Sequence, residues 1–249
     1  AVALLLAVYG WQRWRGAARR EGSAAPAVRA LTASFGNSVQ LGIPLAAALF
    51  GESGLAIHVA LLERWAKVLD LVAPSTLAQV WHRHVADSAQ LVGLAPTSRR
   101  WMDLGTGAGF PGLVVAIMQA EVPGFVMHLI ESNARKCAFL REVARATGTA
   151  VEIHHQRIES IATRATVAGL EVVSARAVAP MDRLLDLAAP LLVAPTRGLF
   201  MKGREVEREI ESARINRRIE LVLHQSVTDS GGRIVEVRRS CTRQEGDRQ

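Results

Sequence analysis

The sequence predicts an α/β fold in which a seven-stranded, mostly parallel sheet ends in an antiparallel last strand and is preceded by an N-terminal helical extension. Three observations predict it. Short apolar runs alternate with amphipathic helical segments, as in repeated strand-helix-strand units. A turn dense in glycine follows the first strand, within the stretch Trp101 to Gly112 that reads WMDLGTGAGFPG. The last two strands are joined through Asp229-Ser-Gly-Gly232, and a Gly-Gly turn indicates an antiparallel hairpin.

The 249 residues divide into four predicted segments. Residues 1–54 are an N-terminal extension in which we find no chemistry, and because the chain does not begin with Met we expect a mis-set or trimmed start there. Residues 55–98 form a helical cap that we expect to cover one edge of the sheet, 99–240 form the main α/β domain, and 241–249 form a C-terminal tail. The apolar start of the extension is too short for a bilayer span and its charges follow the apolar run, so we expect no membrane segment.

Hydrophobic periodicity predicts each element in turn. In the cap, apolar residues recur at helical spacing from Leu55 to Leu69, and a second helix is predicted from Leu77 to Leu91. In the main domain, the first predicted strand ends at Leu104. Later strands are predicted at residues 125–130, 151–154, 170–174, 199–201, 219–224 and 233–238, and helices after the glycine turn, at 134–147, at 181–192 and from residue 206.

The charge balance favours a polyanionic partner. Thirty Lys and Arg against 23 Asp and Glu give a net charge of +7, and the isoelectric point is about 10.6. Genomes rich in GC also encode Arg-heavy proteins, so charge alone leaves nucleic-acid binding open. The two cysteines, Cys137 and Cys241, form no Cys-x-x-Cys pair and no Cys/His cluster, which indicates a reducing cytoplasm. His84 has no partner at metal-ligand spacing, and we assign no metal.

The glycine turn can be interpreted in two registers. Counted from Gly107, it satisfies the G-x-G-x-x-G fingerprint of dinucleotide-binding turns. That fingerprint should begin where the strand ends, which is at Leu104 and not at Gly107. In addition, Pro111 removes an amide donor that a pyrophosphate would need. Counted from Gly105, the pattern Asp103-x-Gly-x-Gly-x-Gly109 resembles motif I of class I S-adenosylmethionine (SAM) methyltransferases. A glycine-rich loop without a ligand is the third interpretation.

The ends of the predicted strands carry the candidate binding residues, because ligands of open α/β sheets lie outside the carboxyl ends of the strands. Glu131 ends the second strand, where a carboxylate can accept both ribose hydroxyls of SAM or of NAD. After the third strand, Ile158 can flank an adenine and Glu159 can accept from its amino group. Arg176, at the fourth strand, can hold the cofactor or an RNA phosphate, or pair with a neighbouring acid. Lys202, after the fifth strand, can contact phosphate.

The fourth strand separates the reaction classes. Its end, Ser174-Ala-Arg-Ala177, lacks the Asn/Asp-Pro-Pro-Tyr/Phe tetrapeptide common in methyltransferases that act on exocyclic amines. Neither cysteine lies near the site, as methylation of pyrimidine C5 would require. A nucleophile that needs no activation remains, and guanine N7 is one, because its lone pair carries no proton. Transfer would then be an in-line displacement without a general base, and no catalytic residue is assigned.

Taken together, the motifs resemble the RsmG (GidB) family of 16S ribosomal RNA guanine-N7 methyltransferases, from about Leu61 to Arg238. The chain departs from the family pattern at Asp70-Leu71-Val72, where Asn-Leu-Thr is usual, and at Ala175, where Ser is usual. The motifs, in family order, are Trp65-x-Lys67, Arg83-His84-x-x-Asp87-Ser88, Asp103-x-Gly-Thr-Gly-Ala-Gly-Phe-Pro-Gly112, Glu131-Ser-x-x-Arg-Lys-x-x-Phe139-Leu140, Arg157-Ile-Glu159, Arg176-Ala177 and Lys202-Gly203.

The resemblance implies a class I SAM-methyltransferase (Rossmann-like) fold, SAM as cofactor, and 16S ribosomal RNA or the small ribosomal subunit as partner of a cytoplasmic monomer without a membrane partner. We expect the cofactor at Asp103, Gly105, Gly107, Gly109, Phe110, Glu131, Ile158, Glu159 and Arg176. We expect the substrate at Arg83, His84, Arg157 and Lys202. A SAM methyltransferase for a small molecule or protein, and a non-catalytic RNA-binding or ribosome-assembly protein, remain alternatives, with an NAD oxidoreductase last.

Overall fold

A computed structural model of the chain describes residues 54–161, 168–214 and 218–239. The predicted C-terminal tail and all of the predicted N-terminal extension except Gly54 lie outside the described residues. Seven strands follow the alternation expected from the sequence, each within one or two residues of its predicted bounds. They are β1 (Arg100–Leu104), β2 (Val126–Glu131), β3 (Glu152–His155), β4 (Val172–Arg176), β5 (Arg197–Lys202), β6 (Ile219–Gln225) and β7 (Arg233–Arg239).

The strands form one sheet in the order β3-β2-β1-β4-β5-β7-β6. Strands β1 to β5 pair in parallel, whereas β7 is antiparallel to both of its neighbours, β5 and β6. The prediction of a mostly parallel sheet with an antiparallel last strand is therefore confirmed. The carboxyl ends of β1, β2, β3 and β4 meet at one edge of the sheet, because parallel strands share their direction.

Two apolar clusters cover the two faces of the sheet, as the alternation of side chains along each strand requires. The helices are α1 (Gly54–Trp65), α2 (Pro74–Leu77), α3 (Asp87–Leu94), α4 (Gly112–Met118), α5 (Ala134–Thr147), α6 (Met181–Ala188) and α7 (Val206–Arg214). Trp101 and Met127 lie in the cluster with α1, α3, α4 and α5. Met102 and Ile130 point the opposite way, into the cluster with α6 and α7.

The cap packs mainly on the helical layer, and its residues Asp87 and Gln90 also hydrogen-bond to the segment after the edge strand β6, at Thr228 and Ser226. Helix α1 contacts α5 and α4, and α3 contacts α4. The first cap helix is also shorter than predicted, since it ends at Trp65 and leaves Val68 with 67% of its surface exposed. Its apolar face is completed by Leu55, Val59 and Leu62, which are buried.

The second predicted cap helix is interrupted, because it begins as the short α2, passes through a π-helical segment at Trp81–Ala86 and continues as α3. A π-helical turn shifts the pairing of backbone groups by one residue and is frequent at functional sites. Helix α6 ends at Ala188, before the Pro190 that its predicted span of 181–192 included, because a proline has no backbone N–H to donate to the carbonyl four residues earlier. Within the described residues, no helix combines the length and the apolarity needed to cross a bilayer.

Candidate cofactor and substrate site

A buried carboxylate holds the glycine turn between β1 and α4 in place. Asp103 Oδ2 accepts from the backbone N–H of Gly112 at 3.0 Å, and Oδ1 accepts from Ser174 Oγ of the neighbouring strand at 2.8 Å. A Cβ on Gly112 would lie 2.4 Å from Leu129 and 2.7 Å from Asp103 Oδ2, so only glycine fits. Burial raises the pKa of Asp103 to about 6, against the effect of these hydrogen bonds. Asp103 is fully buried, so it shapes the turn and offers no surface to a cofactor.

Gly105 and Gly107 are the glycines of this turn that remain partly open to solvent. Gly107 has a φ of +57°, and a Cβ built on it would approach only the carbonyl oxygen of Gly105, at 3.9 Å. Gly109, by contrast, is buried against Leu113, where a Cβ would come within 2.8 Å of the Leu113 Cβ. The turn therefore leaves a free space above Gly107 that is wide enough for a ligand to approach the backbone, and SAM fits this cradle.

Glu131 borders the same space from the end of β2. Its Oε2 accepts from the backbone N–H of Gly107 at 3.0 Å, and its Oε1 accepts from the N–H of Asn133 at 2.8 Å. A carboxylate has about four acceptor positions, so two remain for the hydroxyls of a ribose. The sequence prediction placed Glu131 beside the glycine turn, and the structure brings the two together.

The end of β3 supplies an apolar side chain and a carboxylate next to this turn. A Cβ added to Gly105 would lie 3.9 Å from Cδ1 of Ile158, so this side chain borders the turn. Glu159 is exposed and pairs with Arg183 at 3.2 Å. An exposed pair of this kind contributes little to stability, so the carboxylate can exchange partners with a ligand. The proximity of Ile158 to the turn is compatible with the adenine contact expected for it, whereas the contact seen for Glu159 is the pair with Arg183.

The ring of Phe110 lies inside a stack that joins the turn to the cap. His58 of α1 stacks on it with ring centroids 4.9 Å apart, and His84 of the π-helical segment stacks at 5.0 Å. The guanidinium of Arg176 lies 5.1 Å from the ring centroid. With 3% of its surface exposed, Phe110 cannot offer its ring to a cofactor as predicted, because these side chains already cover it.

Arg176 is held by groups of the cap. Its Nη1 donates to the carbonyl oxygen of Arg83 at 3.0 Å and lies 3.6 Å from Asp87 Oδ2, and its Nη2 donates to Nδ1 of His84 at 2.7 Å. The interpretation of Arg176 as the partner of a neighbouring acid is thus correct for Asp87. The Asp87 carboxylate also accepts a hydrogen bond from Thr228 Oγ1 at 2.6 Å.

The hydrogen bonds fix the tautomer of His84. Nδ1 accepts from Arg176, so Nε2 carries the proton and donates to Thr76 Oγ1 at 2.8 Å, while that hydroxyl donates to the carbonyl of Ala73. Burial, followed by the charges of Arg176 and Arg83, lowers the pKa of His84 to about 4. His84 is therefore neutral at physiological pH and has neither a free lone pair nor a free N–H.

A cavity of about 470 Å³ opens beside this network, at the carboxyl ends of β4 and β5. Arg83 and His84, two of the substrate candidates from the sequence, line it together with Arg233. Lys202 also lines it, but its Nζ is engaged by Glu209 at 2.6 Å and by the carbonyl of Ala179 at 2.9 Å. Contact of Lys202 with a phosphate would have to replace an existing ion pair.

Arg157 does not join these substrate candidates. It is exposed after β3 and does not line the cavity. The sheet order places β3 three positions from β4, with β2 and β1 between them. Arg157 therefore lies on the side of the glycine turn opposite to the cavity, where it can serve only a more distant part of a large substrate.

Sequence reasoning missed three contributors to the site. His58 is fully buried and donates from Nε2 to the carbonyl of Ala108 inside the turn, at 2.8 Å. Thr76 orients His84, and Ser174 holds Asp103. A single histidine at a helical spacing among apolar residues carries no signal that separates it from an ordinary core position. Ser174 could have been found, since parallel pairing of two adjacent strands sets it opposite Asp103.

Comparisons with known proteins agree with this geometry. The family profile described as GidB, rRNA small subunit methyltransferase G, matches residues 52–238. A ribosomal RNA small subunit methyltransferase G of Methylorubrum extorquens is 49% identical over 185 residues, 74% of this chain and 87% of that protein. The protein of the same name from Methylobacterium nodulans is 51% identical over 195 residues, 77% of this chain and 91% of its own length.

Among solved structures, a crystal structure of a mutant of MtNAS is similar with a TM-score of 0.50 and 14% sequence identity, over 95% of this chain and 97% of that one. At such low identity the similarity bears on the fold alone.

Proposed function

Because this chain belongs to the GidB family of rRNA small subunit methyltransferase G, and is thus a SAM-dependent rRNA methyltransferase, we propose that it methylates N7 of a guanine in 16S ribosomal RNA. The transfer is a direct in-line displacement without a general base. The free space above Gly107, with Glu131 at its border and the cavity of Arg83 and His84 nearby, carries this proposal.

The cofactor side of the reaction follows from the turn. SAM supplies a methyl group on a positively charged sulfur, which needs no further activation by the protein. Glu131 holds the ribose through the acceptor positions that Gly107 and Asn133 leave free. Ile158 flanks the adenine, and the partly open Gly105 and Gly107 let the backbone approach the cofactor. The chain thus contributes position and the exclusion of water, which account for a large part of catalysis in such transfers.

The substrate side of the reaction needs an orienting pocket and no proton acceptor. Guanine N7 bears a lone pair and no proton, so the nucleophile is ready in its ordinary state. His84 is the imidazole that lines the cavity, and its two nitrogens are already committed to Arg176 and Thr76. Its pKa of about 4 also makes it a weak base. Because this histidine cannot accept a proton, the cavity suits a reaction such as N7 methylation, in which the substrate gives up no proton.

The docking of RNA follows from charge. Arg83 and Arg233 line the cavity, and the chain carries a net charge of +7. Guanidinium groups suit phosphate because they donate two parallel hydrogen bonds. We assign the small ribosomal subunit or its free RNA as partner and the cytoplasm as location, since ribosomal RNA is the substrate. We propose that the enzyme acts as a monomer.

The test of this proposal is mass spectrometry of small-subunit ribosomal RNA from cells that lack the protein. One N7-methylguanine should be missing, and it should return with the wild-type gene but not with a Gly107→Leu variant. Unchanged RNA, or loss of a methyl group from another base or another atom, would contradict the proposal. Calorimetry with S-adenosylhomocysteine and with NAD gives a separate check, since the first should bind and the second should not.

A further inference from the structure

A cluster of three side chains lies away from the cofactor cradle, where β2 pairs with the edge strand β3. The register sets His128 of β2 opposite Glu152 of β3 and Ile130 opposite His154. His128 and His154 therefore project from the same face of the sheet as Ile130, which is the face that carries α6 and α7. Among the described residues, this is the one group of three His, Cys, Asp or Glu side chains whose ligand atoms lie within 4.8 Å of one another.

The distances within the cluster match a tetrahedral metal site. His128 Nδ1 lies 3.1 Å from His154 Nε2 and 3.2 Å from Glu152 Oε2, and His154 Nε2 lies 3.9 Å from the same oxygen. A tetrahedral ion with ligands at 2.0–2.1 Å sets its ligand atoms about 3.3–3.4 Å apart. The three separations lie on either side of that value, so small side-chain rotations would bring all three atoms into coordination.

A single proton must be shared unequally among the three ligand atoms. A neutral imidazole has one donor nitrogen and one acceptor nitrogen. If His128 Nδ1 carries the proton, that single N–H faces both Glu152 Oε2 and the nitrogen of His154. If it does not, its lone pair faces the carboxylate oxygen. A cation at the centre satisfies all three atoms together, because each then points a lone pair at positive charge.

We propose that His128, Glu152 and His154 form a site for a divalent metal ion of the zinc class, with solvent as the fourth ligand. Two imidazole nitrogens and one carboxylate oxygen are a ligand set that suits Zn²⁺ and does not suit Mg²⁺ or Ca²⁺, which prefer oxygen. His128 has 9% of its side chain exposed and His154 24%, which gives the site an inner wall, while Glu152, with 60% exposed, leaves an entrance from solvent.

The ion would fasten the edge strand to the rest of the sheet. Strand β3 has one neighbour, β2, and it leads directly to Ile158 and Glu159. A metal bridge between β2 and β3 would stabilise the segment that presents these two residues to the cofactor. Its contribution is structural and independent of the methyl transfer, so this inference stands or falls separately from the proposed function. Sequence reasoning assigned no metal because His84 has no partner at metal-ligand spacing, and His128 lies 24 residues before Glu152, so the spacing along the chain does not show that these two residues meet.

The experiment is a titration of the untagged, metal-free full chain with Co²⁺, followed by displacement with Zn²⁺. We expect one ion per chain and the intense visible absorption of tetrahedral Co²⁺. His154→Ala should weaken the binding by more than the about 10- to 100-fold that loss of an outer partner costs. Glu152→Gln should weaken it as well, whereas His155→Ala should not, because that neighbouring ring contacts the carbonyl of Ser132 instead.

Thermal unfolding separates metal binding from a change of fold. Zn²⁺ should raise the Tm of the wild type and of His155→Ala but leave that of His154→Ala unchanged, while all three proteins bind S-adenosylhomocysteine. A weak, octahedral Co²⁺ spectrum, or tight binding that persists in His154→Ala, would overturn the proposal.

Discussion

The backbone N–H of Gly107 donates to Glu131, while a side chain at this position would project into free space. The neighbouring Gly112 has the opposite surroundings, since any Cβ there meets Asp103 and Leu129. The same residue type thus serves two purposes within one turn. Gly112 allows the turn to close on the sheet, and Gly107 leaves room for what binds above it. Substitutions at the two positions should therefore fail for different reasons.

Gly107→Leu should abolish binding of S-adenosylhomocysteine and leave the protein folded. The side chain would occupy the cofactor space, and the positive φ would cost about 1–2 kcal/mol. Gly148→Leu is the matched control, because Gly148 also has a positive φ, of +66°, and a Cβ there meets nothing within 4 Å. Calorimetry of both variants, with circular dichroism for the fold, provides the measurement. Equal loss of binding in both would refute a cofactor site at Gly107.

Glu131→Gln should weaken S-adenosylhomocysteine binding by roughly 10- to 100-fold, the equivalent of about 1.5–3 kcal/mol for hydrogen bonds to a charged group. One end of the new amide would present N–H groups to the N–H of Gly107 or of Asn133, so the turn and the ribose would both lose an acceptor. Glu142→Gln is the control, since this carboxylate binds Arg64 and Trp65 in the cap. Unaltered affinity in Glu131→Gln would exclude the ribose contact.

At the scale of elements, the connection from β2 to α5 joins Glu131, the proposed ribose ligand, to a helix start. Asn133 Oδ1 accepts from the N–H groups of Arg135 and Lys136, which caps α5. The N–H of Asn133 donates in turn to Glu131. The capping residue of the helix and the acid at the end of the strand therefore fix each other, and the first turn of α5 sets the position of the carboxylate.

Asn133→Ala should reduce the free energy of unfolding by about 1 kcal/mol, the usual cost of losing an N-cap. Urea denaturation measures this loss. Asn133→Ser should restore most of the stability, because a serine hydroxyl accepts the same two backbone N–H groups. If Asn133→Ser were as unstable as Asn133→Ala, the cap would not be the source of the effect.

Alternating apolar runs predicted the sheet, its strand ends and helix α5, whose observed bounds of Ala134–Thr147 equal the predicted ones. The cap was predicted less well. A continuous helix at 77–91 is what a constant period of 3.6 residues suggests, and a π-helical segment breaks that period without any marker in composition. Val68 was assigned to an apolar helix face, but no sequence rule shows that the helix ends at Trp65.

The positions of the proposed cofactor residues were more predictable than the contacts between the cap and the glycine turn. Glu131, Ile158 and Arg176 follow strand ends, and parallel strands bring their ends to one edge whatever the details of packing. The contacts of Arg176 with Asp87 and His84 depend on how the cap folds over the turn. Such contacts between distant segments depend on tertiary packing, which the spacing of residues along the chain does not predict.

At the scale of the whole molecule, pH should change stability through buried histidines, since burial lowers the pKa of His58, His84 and His128. His58 and His84 each have a folded pKa of about 4, against 6.5 ordinarily, chiefly because they are buried. Between these values the unfolded chain binds their protons and the native chain does not, so stability rises with pH by about 1.4 kcal/mol per pH unit for each. The pKa of Asp103 is raised on folding from 3.8 to about 6, so between these values the native chain binds a proton that the unfolded chain does not. This one group therefore lowers stability as pH rises and cancels the effect of one histidine in that range.

The net expectation is a free energy of unfolding that falls as pH is lowered from about 6.5 towards 4. His84→Asn, which cannot titrate, should reduce that slope by about 1.4 kcal/mol per pH unit. Urea denaturation across this range measures the slope in both proteins. An identical slope in the variant would show that His84 is not kept neutral in the native state.

Binding of ribosomal RNA should weaken steeply with salt, since each phosphate that the protein neutralises releases a counterion. In a plot of the logarithm of the binding constant against the logarithm of the salt concentration, each phosphate contact should contribute a slope of about −0.7 to −0.9. Arg83→Ala should make the slope shallower by about the amount that one contact contributes. Arg64→Ala is the control, because Arg64 pairs with Glu142 on the outside of the cap. Filter binding at several salt concentrations provides the measurement, and a flat salt response would argue against docking through phosphates.

The stack around Phe110 makes the cofactor turn and the cap parts of one packed unit, since its rings come from the turn, from α1 and from the segment that carries Arg83. Close-packed side chains transmit a displacement, because little empty volume exists to absorb it. We therefore expect occupation of the cradle and occupation of the cavity to be thermodynamically linked. Linkage is reciprocal, so the factor by which SAM changes the affinity for RNA equals the factor by which RNA changes the affinity for SAM. One coupling free energy describes both, whichever ligand arrives first.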